Sequence, residues 1–215
     1  MIDYNKAATL AAETLVRYNV RSSPVSPLPI LEQMGNVIVI SFSEMSDISN
    51  VDRSDIVRIF WKNKDAVTSI HTENGKTTYI VAYNSLLPFG VIQRALAREM
   101  AHIVMKHEED NDENEQEAAC FAQHLLFPRP LIHTIQATGA RLTADLFTNL
   151  TGASVQSVVD MRHLPRTEVP SGLNRFVRSQ LMPFILNFFE YFQTVMYRDG
   201  SALVDLGSFM DGYEE

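Results

Sequence analysis

The side chains with chemistry to offer concentrate in one stretch, Arg98-Glu99-Met100-Ala101-His102, followed past residues 103–116 by Glu117. Carboxylates and imidazoles carry lone pairs, so they can ligate a divalent cation or take a proton from a bound water. A guanidinium does neither, because it has five donors, no lone pair to offer and a pKa above about 12. Arg98 and His102 are spaced to share one face of a helix. Other imidazoles are less well spaced. His107 would lie about 140° around a continuing helix from His102, His124 about 10 Å along the axis from Glu117 but on its face, and His71 at the end of a strand. Cys120, between alanines and aromatics, reads as a small core residue and not as a nucleophile.

The elements that must position these groups follow from periodicity. Residues 3–19 have helical apolar spacing (Ala7, Leu10, Ala11, Leu15, Val16), ended by Ser22-Ser23-Pro24-Val25-Ser26-Pro27. A short helix over about 29–34 stops at Gly35. Four β-type stretches are expected next: 36–42, about 56–61, and the pair 66–71 and 77–83 around Glu73-Asn74-Gly75-Lys76, a strong hairpin signal. They predict a small, mainly antiparallel sheet. From Gly90 to about His107 the pattern is helical, with Ile92, Leu96, Met100 and Ile103 inside an arc of roughly 80°. The acidic run Glu108-Glu109-Asp110-Asn111-Asp112 lacks the glycine and ligand spacing of a calcium loop and reads as a solvated connector. A helix over about 113–126 closes at Pro128, and further helices are expected at 129–137, 143–150, 153–163 and 172–198.

With these elements in place the chain resembles the ImmA/IrrE family of zinc metallopeptidases, the anti-repressor type found on phages and mobile elements. The resemblance rests on Tyr79 to Asn84, Leu87-Pro88, Arg94, Ala97 to Ile103 at the position of the family's H-E-x-x-H helix, and Glu117-Ala118-Ala119-Cys120-Phe121-Ala122-Gln123-His124-Leu125-Leu126-Phe127-Pro128, similar to its E-A-N-x-F-A-x-x-L-L-x-P. It implies an α+β, zincin-like domain over 1–166, closed by a helix pair at 142–164, with a helical tail over 167–215. It also implies Glu99 as the general base and His102 and Glu117 as zinc ligands, the metal lowering the pKa of its water and polarising a scissile carbonyl. Arg98 stands where the first histidine ligand belongs, which leaves two ligands where three are wanted; His124 is the candidate substitute. Zinc is therefore expected to be absent or weakly held, with the Arg98 guanidinium paired to Glu117 in place of the ion.

The implied function is regulation of a helix-turn-helix repressor, as a pseudo-peptidase that binds without cutting or, alternatively, as a zinc endopeptidase that cleaves it. A second alternative is DNA binding through 142–164, which resembles a helix-turn-helix. Composition weighs against a general nucleic-acid binder: the 215 residues carry a formal charge of -8 with a pI near 5.2. With 46% hydrophobic and 20% charged residues the chain can build one good core. A single cysteine and a start lacking an apolar leader point to the cytoplasm, and the apolar run 179–189 is too short and too interrupted by Pro183 and Asn187 to span a bilayer. The apolar surface of 172–198 must pack on the domain, a second copy or a partner.

Overall fold

Asn74 and Gly75 both take left-handed backbone angles, φ 51° and 75°, which is what a two-residue type I′ turn requires. A computed structural model describes residues 1–60, 64–109, 111–137, 150, 152 and 166–198. In it this turn joins β2 (Ala66–Glu73) to β3 (Lys76–Tyr83), antiparallel with Glu73 opposite Lys76 and Ala66 opposite Tyr83. On the other side of β3 lies β1 (Val37–Ser41), parallel to it with Val37 opposite Tyr79. The sheet order is β1-β3-β2, so the sheet is mixed, one parallel and one antiparallel pairing. Pairing puts Val39, Val81 and Thr68 on one face; Val81 is fully buried there.

The parallel pairing follows from what fills the connection between β1 and β2. The strand expected at about 56–61 is not formed over its described part. Ser41 and Glu44 make a reciprocal capping box that starts α3 (Phe42–Ser49), Asn50 ends it in the left-handed region, and Asp52 caps α4 (Arg53–Asp55), which continues as a π-helical turn over Ile56–Phe60. These caps outweigh the β preference of Ile56 and Val57. The remaining described helices lie close to their expected positions: α1 (Tyr4–Arg17), α2 (Pro27–Gln33), α5 (Phe89–Met105), α6 (Asp112–Leu126), α7 (Arg129–Ala137) and α8 (Ser171–Arg198). The helix pair expected over 142–164, with its DNA-binding alternative, lies outside the described residues apart from Leu150 and Gly152.

The core is one contiguous cluster drawn from α1, α2, β3, α5, α6, α7 and α8. Small residues let its helices approach closely. Ala7, Ala8 and Ala11 on α1, Ala97 and Ala101 on α5, and Ala118 on α6 are all fully buried, and the larger Leu96, Met100, Phe121 and Leu125 fill the space between them. Val177, Leu181 and Ile185 of α8 enter the same cluster, where α8 meets α1 and α7. Fold class is therefore α+β, with the sheet laid against α5 and helices on its far side. No helix among the described residues is long and apolar enough to cross a membrane. Replacing Phe121, which is 0% exposed, by alanine is expected to cost about 3–5 kcal/mol, measurable as a lowered urea midpoint with an unchanged m-value.

Candidate functional site

Helix α5 presents Arg98, Glu99 and His102 toward the region between β2 and α6. Glu99 leans to the sheet, where Thr68 of β2 donates its hydroxyl to the Glu99 carboxylate at 2.7 Å. Burial pushes the Glu99 pKa up, and the Thr68 hydrogen bond and the neighbouring His102 only partly offset it. Above these groups is a cavity of about 180 Å³ lined by Thr68, Tyr79, Glu99, His102, His107 and Glu115, among others.

Arg98 donates to Oε2 of Glu115, and Nε2 of His102 lies 3.6 Å from the other oxygen of the same carboxylate, a separation for ion pairing more than for a hydrogen bond. His102 and then Arg98 hold the Glu115 carboxyl well below its ordinary range, at about 2, against the opposing effect of burial. Expectation paired Arg98 with Glu117; the structure pairs it with Glu115. The reason is helical phase. Glu115 shares a row of α6 with the buried alanines Ala118 and Ala122, whereas Glu117 shares one with Cys120 and His124, and that row faces α1: Cys120 Sγ lies 3.6 Å from the Tyr4 carbonyl oxygen, and the Asp3 amide donates to Glu117 Oε1 at 2.6 Å.

The second oxygen of Glu117 is reached from α5 by a residue the periodicity had turned away. Helix α5 ends at Met105, and Lys106 adopts a left-handed conformation, φ 60°. The chain doubles back, the His107 amide donates to the His102 carbonyl at 2.9 Å, and the His107 ring stands with Nδ1 3.0 Å from Nδ1 of His102 and Nε2 3.1 Å from Glu117 Oε2. Burial lowers the His107 pKa, so the ring is neutral near pH 7. Hydrogen-bond logic then fixes the protons. The Glu117 carboxylate only accepts, so His107 carries its proton on Nε2, and Nδ1 of His107 must accept from Nδ1–H of His102. The result is a chain of contacts, Arg98–Glu115–His102–His107–Glu117–Asp3 amide, that ties α5, α6 and the start of α1 together.

His124 lies apart from this cluster. It is buried, its Nε2 is 2.9 Å from the Thr167 hydroxyl, and it borders a small space with Ala8, Leu15, Arg129 and Val177. Burial, aided by the Arg129 charge, brings its pKa down to about 4. Sequence reasoning missed Glu115 and Thr68, and the helical phase set His107 apart. The alanine row of α6 was a usable signal for Glu115; the reversal at Lys106 had none, since neither glycine nor asparagine marks it.

Comparison with protein families identifies the kind of domain this is. The model of the M78 peptidase family, described as IrrE N-terminal-like domain, matches residues 52–160, just over half of the chain. The chain belongs to this peptidase-like family. Searches of curated proteins and of solved structures gave no match.

The family is typically zinc-dependent, which poses the question whether these residues suit that ion. They do not. His102 Nε2 and Glu115 Oε1 stand 3.6 Å apart as two possible donors, but the same carboxylate is held by the guanidinium of Arg98, a cation that cannot ligate. The lone pairs of His107 and Glu117 point into the contact chain and not toward those two donors. Among the described residues no group of three or more His, Cys, Asp or Glu side chains is arranged to hold a metal.

The depressed His124 pKa sets a pH dependence. The unfolded chain takes up a proton on this ring below its ordinary pKa of 6.5, and the folded chain does not until about 4, so stability is complete above 6.5 and lost as pH falls through that window. Lowering the pH from about 7 to about 5 should cost on the order of 2 kcal/mol in urea unfolding, and a His124→Leu variant should lose most of that dependence.

Proposed function

We propose that this chain is an ImmA/IrrE-like regulator that binds a helix-turn-helix repressor and inactivates it stoichiometrically, as a pseudo-peptidase. The supporting observation is the Arg98–Glu115 pair. A guanidinium on the carboxylate beside His102 supplies a positive charge where the family's ion would sit, without its Lewis acidity and without an activated water. Family membership supports a repressor as the partner. A cytoplasmic site of action is part of the proposal, in keeping with a lone cysteine that is buried and whose thiol pKa is raised to about 11.

One observation favours catalysis as the second reading. Glu99 retains the position of a general base, with its proton affinity raised by burial at the edge of a cavity. In that reading the chain is a zinc endopeptidase with an irregular site.

Titration of a co-purifying helix-turn-helix repressor on its operator, read by gel shift with parallel denaturing gels, separates the two. The expected outcome is release of the repressor at about one chain per repressor, with the repressor intact and with no effect of chelator or of Glu99→Gln. Substoichiometric release accompanied by repressor fragments, and abolished by Glu99→Gln, would overturn the proposal.

A further inference from the structure

A second, larger cavity of about 350 Å³ adjoins the first, and Tyr79 and Ile103 line both. Its apolar side is formed by Leu10, Met34 and Val104, and its charged rim by Arg17 at the end of α1, Lys106 at the end of α5, and Glu13. Helix C-termini favour cations, which accounts for basic residues at these positions. It does not account for two of them converging on one concavity in a chain of net charge -8. Neither Arg17 nor Lys106 forms an ion pair among the described residues, although Glu13 lies one turn before Arg17. The left-handed Lys106 is the junction: it borders this cavity, and the next residue, His107, borders the first.

We propose that the two cavities form one cleft for an extended protein segment, in which the cavity between α1 and α5 accepts an acidic side chain flanked by an aliphatic one. Arg17 and Lys106 pair with the carboxylate, and Leu10, Met34 and Val104 cover the aliphatic neighbour. The inference rests on the reading that this protein acts on a protein partner, and it holds whether or not that partner is cut.

Fluorescence anisotropy of the full chain with labelled octapeptide pools tests it. The pools fix a central Leu-Glu, Leu-Ala or Leu-Lys pair and randomise the other positions among uncharged residues. The Leu-Glu pool should bind about tenfold tighter than the Leu-Lys pool, the sum of two partly exposed ion pairs. The double substitution Arg17→Glu and Lys106→Glu should reverse the order, with circular dichroism and urea unfolding as in the parent. Because Lys106 holds a constrained backbone, Arg17→Glu alone serves if the double variant misfolds, and it should lower the preference about threefold. Equal binding of the three pools, or a preference that survives charge reversal, overturns the acidic subsite and leaves the protein-partner reading standing. Binding of no pool overturns the cleft altogether.

Discussion

Two helices that bring carboxylates and imidazoles face to face need positive charge between them, and here that charge is the guanidinium of Arg98. With Glu115 ionised down to a pKa of about 2, the α5–α6 junction carries a fixed anion, and the Arg98 guanidinium answers it. Both side chains keep about a third of their surface, 38% for Arg98 and 32% for Glu115, so the net stabilisation is on the order of 1 kcal/mol, small beside the burial of Phe121 or Leu125. The pair links α5 to α6 across the site; the apolar core supplies the stability.

From that junction the contacts continue to α1. His102 passes to His107, His107 to Glu117, and Glu117 to the Asp3 amide at the start of α1, so the first turn of the chain is held against the cluster. α1 precedes the stretch that matches the family model, residues 52–160, yet it supplies a partner to Glu117 and one wall of the second cavity. The site is thus built from more of the chain than its family signature.

Most of the fold could be read in the sequence where local rules act alone. Asn74-Gly75 specified its turn, and the apolar rows of α5 and α6 specified which faces turn inward. The segment after β1 misled because β-branched residues at 56–57 suggested a strand, while the Ser41–Glu44 box and the Asp52 cap decided for helix. At the site, the helix that carries Arg98, Glu99 and His102 was legible from its apolar row. The partner of Arg98 was not, because residues 115 and 117 differ by about 200° of helical phase and only the packing against α1 shows which faces where. His107 was hidden by assuming that α5 ran on; one left-handed residue, Lys106, brings it back.

Arg98 cannot ligate an ion, and it holds the carboxylate that lies beside His102. Equilibrium dialysis of the purified chain against micromolar zinc, followed by elemental analysis, addresses this directly. The prediction is far less than one zinc retained per chain after washing, because two donors and a guanidinium do not make a tight site. One tightly held zinc per chain would contradict it.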